Sequence, residues 1–305
     1  MTAAASTQPG FASRMVNGVL AIKPLANFAK HQARQMMIKR AEKIGVPWRK
    51  QAQELAERNW DEEFARVCNP ELKYPEYYLC SFHAYDRGNL SWEAATEVEV
   101  AARAVHATIW PSAGAQGDAK LRNSYHQVLK ERVPEAPRDI VDLGCSVGMS
   151  TFALQEVYPE ANCTGVDLSP YFLAVAQYRS QQRHRDIPWV HAPAESTGLP
   201  ENSFDLVSAC LMFHELPQEA SRQIFREARR LLRPGGHLAI MDMNPKSEVY
   251  AKMPPYVLTL LKSTEPYLDC YFGLDMAKEI AAAGFQTPAI AATTPRHRAI
   301  VARVK

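Results

Sequence analysis

The sequence predicts an α/β fold: a seven-stranded, mostly parallel sheet with helices on both faces, preceded by a helical N-terminal cap. Three observations carry this expectation. From Arg138 onward, short apolar runs alternate with helical stretches, the pattern of βαβ units. The first of those runs ends in a Gly-containing turn, Asp142-Leu143-Gly144-Cys145-Ser146-Val147-Gly148. Before Arg138, apolar residues recur at spacings of three and four, as on one face of a helix.

Residues 1–18 are small and polar, with little to bury, and are expected to be a disordered tail. A helix is expected over 25–44, where Leu25, Ala29, Ala33, Met36, Met37, Ala41 and Ile44 share a face. Gly45-Val46-Pro47 ends it, because the residue before a proline disfavours helix. One further helix is expected from Trp48 to about Cys68, before Asn69-Pro70. Tyr74 to Trp92 is an aromatic segment. Helices over 91–109 and 118–133 follow, the first opened by the N-cap residue Ser91. The division expected is a helical region over 19–119 and an α/β domain over 120–305.

In that domain the strands are expected at 140–143, 162–167, 188–191, 204–210, 236–241, 289–293 and 299–304. Helices are expected at 149–157, 170–183, 218–232 and 275–283. An aromatic, Pro-containing insertion over 244–272 has the character of a lid.

Hydrophobic residues make up 47% of the 305 and charged residues 22%, which is ordinary globular composition. Charge is unevenly spread: Arg14 to Lys43 holds seven basic residues and one acid, while the rest of the chain is net −4. The basic helix over 19–44 suits either an anionic membrane surface or docking on the body. No second basic stripe or reader motif accompanies it, so nucleic acid is not an expected partner. The six cysteines form no CxxC pair and have no His cluster at zinc spacing, so no metal is expected. They suit a reducing compartment, the cytoplasm or an organelle stroma. No apolar run approaches a membrane span. Residues 1–18 lack a secretory apolar core but are acid-poor, which leaves an organelle-targeting role open.

A strand, a Gly turn and a helix together make a nucleotide-type site, because glycine lets backbone approach a ligand and the helix start offers free N–H groups. Asp167 follows Gly148 by 19 residues, about the spacing at which an acid holds ribose hydroxyls. No G-x-G-x-x-G is present, which argues against a pyrophosphate ligand. From Arg138 to about Asp242 the chain resembles the Rossmann-like class I S-adenosylmethionine-dependent methyltransferases, and most of all the quinone-biosynthesis C-methyltransferases of the type 11 group. The matching residues are the loop Asp142 to Gly148, Asp167-Leu168-Ser169-Pro170, Ala194-Glu195 with Leu199-Pro200, Ser203-Phe204-Asp205-Leu206-Val207, and Leu231-Leu232-Arg233-Pro234-Gly235-Gly236.

The resemblance implies S-adenosylmethionine as co-substrate. Gly144, Cys145, Ser146 and Gly148 would pass under its methionine and ribose parts, Asp142 would face the amino group, and Asp167 would hold the ribose diol. Leu168 and Ala194 would meet the adenine. Two departures stand out. Ser146 replaces a loop glycine, which is acceptable if its φ stays negative. Pro193 replaces an adenine-contacting Asp, leaving Glu195 or backbone to read the base.

Methyl transfer needs alignment and water exclusion, plus a base where the acceptor must lose a proton. His214 follows the fourth strand, on the side that faces the methyl group in this fold; it is either a base or acceptor-positioning group, or a locally packed histidine. His83 and Tyr85, in the aromatic segment around Ala84-Tyr85-Asp86, resemble a cap in which Tyr meets the cofactor and His lies near the acceptor. The alternative is an aromatic cap packed on the core. The apolar lid suggests a small, fairly hydrophobic acceptor, such as a prenylated quinone or phenol precursor. O- or N-methylation of a soluble metabolite and a non-catalytic cofactor-binding module are the alternatives.

Overall fold

The computed structural model describes residues 23–83 and 85–305; the expected tail over 1–18, and residue 84, lie outside the described residues. Seven strands form one sheet: β1 (Asp139–Leu143), β2 (Asn162–Asp167), β3 (Trp189–His191), β4 (Phe204–Cys210), β5 (Leu232–Met243), β6 (Ala289–Ala292) and β7 (His297–Arg303). Their order is β3-β2-β1-β4-β5-β7-β6. The first five run parallel, and β7 alone opposes its neighbours β5 and β6. The predicted fold class is the observed one.

Alternation along each strand feeds two cores. Ile140, Cys163, Leu206, Ala239 and Ala299 face α5 (Gly117–Arg132) and α6 (Met149–Val157) through Leu121, Tyr125, Leu129 and Leu154. Val141, Val166, Val207, Ile240 and Ile300 face α8 (Gln218–Leu231) and α12 (Met276–Ala282) through Ile224, Phe225, Ala228 and Ile280. Successive side chains on a strand point to opposite faces, so a sheet buried on both sides reads as continuous apolar sequence.

The N-terminal helices are α1 (Lys23–Lys43), α2 (Trp48–Ala56), α3 (Asp61–Val67) and α4 (Trp92–His106). Ile38 and Ala41 of α1 are buried against Trp48, Ala52, Val100 and Ala104. Leu55, Trp60, Val67, Ala94 and Ala95 pack on Phe172 to Ala176 of α7 (Pro170–Gln182), and on Cys145 and Val147 of the Gly turn. The cap therefore leans on the turn itself.

The single helix expected from Trp48 to Cys68 is two helices. The Trp60 indole N–H donates to the Leu55 carbonyl at 2.9 Å and satisfies the end of α2. Asp61, Glu62 and Glu63 then begin α3, where acidic residues favour a helix start. β5 begins at Leu232, earlier than expected, because Leu232 already pairs with Phe204; residues 233–236 then bulge, with Gly235 at φ +79°, before regular pairing resumes at His237. The expected lid over 244–272 holds three helices: α9 (Glu248–Ala251), α10 (Pro255–Thr264) and α11 (Leu268–Phe272). No residue of α10 is buried, and Tyr256 and Leu260 are exposed. Among the described residues, no helix is long and apolar enough to cross a membrane.

Candidate active site

The order β3-β2-β1-β4-β5 reverses direction between β1 and β4, and ligands of open parallel sheets bind outside the strand ends at that point. The Gly turn leaves β1 there. Gly144 (φ +67°) and Gly148 (φ +84°) are left-handed, and each is close-packed. A Cβ on Gly148 would stand 2.7 Å from the Trp189 ring; one on Gly144 would stand 2.5 Å from Met212 Sδ. Ser146 also has positive φ, +51°, contrary to the expectation of negative φ. Its N–H must point at Asp167 Oδ2, which it meets at 2.8 Å, and that geometry sets its backbone.

Asp142 is fully buried at the end of β1, where Ser150 Oγ (2.6 Å) and Thr151 Oγ1 (2.7 Å) donate to its Oδ2. The carboxylate thereby ties the strand to the first turn of α6. Burial pushes its carboxyl up to about 6, against those two hydrogen bonds. Asp167 ends β2, and its Oδ1 accepts from Ser169 N–H at 2.8 Å. Burial again raises the carboxyl to about 6, opposed by the Ser169 and Ser146 amides. Leu168 and Ala194 are buried. Glu195 Oε1 accepts from the Tyr77 hydroxyl at 2.8 Å, so the cap reaches the segment just after Pro193.

Asp142 Oδ1, Ser146 Oγ and Glu195 Oε2 are buried without a hydrogen-bond partner. Such oxygens are rare in a finished core and mark places where a ligand donor is wanted. They fall on the three segments that S-adenosylmethionine would touch with its amino group, ribose and adenine. The donor set therefore fits that cofactor.

A second constellation lies at the carboxyl ends of β4 and β5. His214 Nδ1 meets Asp242 Oδ1 at 2.8 Å, and Asp242 is fully buried. His83 Nε2 lies 3.2 Å from Glu265 Oε1 and 3.3 Å from Glu215 Oε1. Asn89 Nδ2 donates to Glu215 Oε2 at 3.2 Å. Burial would lower the His214 imidazole, but the Asp242 charge and hydrogen bond overcome it and raise it to about 10. His83 is likewise raised, Glu265 and Glu215 outweighing burial. Burial pushes the Glu265 carboxyl up. The His214 ring therefore keeps its proton at neutral pH, held against Asp242.

The structure brings the two predicted histidines, His83 and His214, into one cluster. It directs Tyr85 elsewhere: its hydroxyl donates to Glu97 Oε2 at 2.9 Å, and Arg34 Nε donates to the same carboxylate at 3.1 Å. Tyr85 joins α1 to α4 through Glu97. Tyr78 is the buried tyrosine that lies near Asn89, Asp167 and Glu215. Asn89, Asp242 and Glu265 were missed by sequence reasoning. Asp242 carried a signal, a lone acid in the apolar end of β5; Glu265 carried none.

The methyltransferase domain family matches residues 141–240, the span from β1 to β5 that builds this site. Over that span, 100 of the 305 residues, the chain carries a methyltransferase domain. It is similar to the demethylmenaquinone methyltransferase of Thermus thermophilus, 29% identical over 111 residues, 36% of this chain and 50% of that protein. It is also similar to the ubiquinone biosynthesis O-methyltransferase of Pseudomonas aeruginosa, 30% identical over 138 residues, 44% of this chain and 57% of that one. The malonyl-[acyl-carrier protein] O-methyltransferase of Hahella chejuensis is 36% identical over 104 residues, 33% of this chain and 35% of that one. The chain thus spans about half the length of the first two relatives and about a third of the last. The fold is shared with a Pyrococcus horikoshii protein, with a TM-score of 0.51 and 16% identity, covering 66% of this chain and 99% of that one. It is shared too with phosphoethanolamine N-methyltransferase 2 of Haemonchus contortus, a complex with S-adenosyl-L-methionine, with a TM-score of 0.51 and 16% identity, covering 72% of this chain and 61% of that one.

Proposed function

We propose that the protein methylates a small, fairly hydrophobic acceptor bearing an ionisable hydroxyl, in the class of prenylated quinone or phenol precursors. The observation that carries this reading is the cluster of His83, His214, Glu215 and Glu265 at the ends of β4 and β5, next to the Gly turn. Asp142, Ser146, Asp167 and Glu195 would hold S-adenosylmethionine, which supplies an electrophilic methyl group. His214, fixed by Asp242, donates to the acceptor oxygen and orients it. Glu215 and Glu265 offer places for the acceptor's proton. The exposed apolar side chains of α10, Tyr256, Val257 and Leu260, suit an apolar substituent on the acceptor and the exclusion of water. The quinone-pathway names of two relatives support the acceptor class.

Ile38 and Ala41 of α1 are buried in the cap, with Met37 and Ile44 packed beside them, which favours the docked reading of the basic helix over insertion in a membrane surface. Liposome flotation with and without residues 1–44 checks this: both forms are expected to stay in solution.

The test of function is release of S-adenosylhomocysteine with a prenylated demethyl-quinol and with a water-soluble phenol of the same headgroup. Turnover is expected with the prenylated compound and at least tenfold lower with the soluble one. Equal turnover would move the reading to a soluble metabolite. No turnover with either, despite cofactor binding, would favour a non-catalytic module.

A further inference from the structure

The three side chains His83, His214 and Glu265 each offer one ligand atom, and these atoms lie within 4.8 Å of one another. They come from three separate places: the cap, the end of β4 and the segment after α10. We propose that they bind one first-row divalent cation, zinc foremost, as a two-histidine, one-carboxylate centre with an open fourth position.

Four features support the assignment. The first is ligand type, since two imidazoles and a glutamate are the donors of open catalytic zinc sites. The second is spacing. His83 Nε2 stands 3.2 Å from Glu265 Oε1, and the ligand atoms of all three side chains lie within 4.8 Å of one another. With metal–ligand bonds of about 2.0–2.2 Å, a tetrahedral ligand edge is about 3.3–3.6 Å. The third is orientation. Asp242 holds His214 Nδ1 at 2.8 Å, so Nε2 is the ring nitrogen that would ligate, its proton displaced by the ion. A carboxylate on the far nitrogen is the usual support of a ligating histidine. Asp242 is itself fixed by the Met243 N–H at 2.7 Å. The fourth is unmet demand. Glu265 is 8% exposed, and its Oε2 is buried with no hydrogen-bond partner.

Charge selects a cation. Asp242, Glu215 and Glu265 converge on two imidazoles, three acids around two bases. An ion has a way in, because the His83 side chain is 39% exposed. His83 also has φ +50°, a left-handed conformation that tends to collect at functional sites. Its N–H donates to the Thr264 carbonyl at 3.1 Å, so cap and lid already meet at this point. A bound ion would fasten them to the sheet, and its fourth position would take an oxygen anion. The proposal uses the cluster of the proposed function: with the ion bound, the ion and not the His214 N–H would orient the acceptor oxygen, and Glu215 would be left to take its proton; metal binding itself is measured without an acceptor.

The test uses the full chain, stripped with chelator and titrated with Zn2+ alone by calorimetry, with bound metal counted by elemental analysis. One Zn2+ per chain is expected. H83A and E265Q should each weaken binding at least about 100-fold, and D242N about 10- to 100-fold. Near-UV circular dichroism of each variant verifies that the fold is retained; H83A, at a partly exposed position, is the variant best suited to this. Co2+ should give visible d–d bands without thiolate charge transfer. Substoichiometric Zn2+, affinity within twofold of the parent in both H83A and E265Q, or a thiolate–cobalt band from the cysteines would each overturn the proposal.

Discussion

Replacing Ser146 by glycine is expected to stabilise the cofactor-free chain and to weaken its hold on S-adenosylmethionine. Ser146 has φ +51°, a conformation that penalises an L residue by about 1–2 kcal/mol. Glycine removes that penalty but returns about 0.5–1 kcal/mol through its freer unfolded chain. The Ser146 Oγ is buried and unpartnered, which costs about 1–3 kcal/mol more. The sum is a gain of about 1–4 kcal/mol for S146G in urea unfolding of cofactor-free protein. S146A keeps the left-handed strain and drops the hydroxyl, so it should gain about 1–3 kcal/mol. The Ser146 N–H bond to Asp167 is backbone and survives in both variants. If the hydroxyl finds its partner on the cofactor, one hydrogen bond of about 0.5–1.5 kcal/mol is lost, a 2- to 10-fold rise in Kd by calorimetry. An S146G chain less stable than the parent, or unchanged affinity in both variants, would refute this reasoning.

Asp142 predicts a pH signature. Its folded carboxyl is raised to about 6 from 3.8, so the native chain keeps a proton that the unfolded chain has lost, and stability drains away as pH rises through that window. D142N lacks this ionisation and should gain on the parent by about 3 kcal/mol between pH 4 and pH 7 in urea melts; parallel pH curves would count against it. Asp118 is buried between His106 (Nδ1, 2.7 Å) and Arg122 (Nε, 3.0 Å). D118A strands the buried Arg122 guanidinium and takes the hydrogen-bond partner from His106, whose imidazole burial holds below its ordinary value; it should destabilise by about 3–5 kcal/mol in the same melts, with a loss below about 1 kcal/mol inconsistent with the pairing. E97A removes the carboxylate shared by Tyr85 and Arg34, worth about 1.5–3 kcal/mol. Limited proteolysis ahead of Trp48 should then quicken about 10- to 100-fold while the sheet domain is cut at the parent rate; equal cleavage would deny the link its role.

The sheet was readable because a strand buried on both faces leaves a continuous apolar run, and five such runs lie between Asp139 and Met243. The Gly turn and Asp167 were readable because close backbone approach and a strand-end acid leave fixed spacings. The break at Trp60 was not, since it depends on an indole reaching back to one carbonyl. Nor was the φ of Ser146, which is set by an acid 21 residues away. The partners of His214 and His83 were hidden for a similar reason. Asp242 and Glu265 come from the end of β5 and the far side of the lid, and no local pattern marks such a convergence. Tyr85 had the right neighbourhood but the wrong direction, because Glu97 on α4 claims its hydroxyl.

The central claim is that the turn from Asp142 to Gly148, with Asp167, holds S-adenosylmethionine. The direct measurement is calorimetric titration of the full chain with that cofactor, repeated on D167A. One site per chain is predicted, weakened at least about tenfold in D167A, as expected from loss of hydrogen bonds to a charged group. No binding at millimolar cofactor, or equal affinity in D167A, would contradict the account.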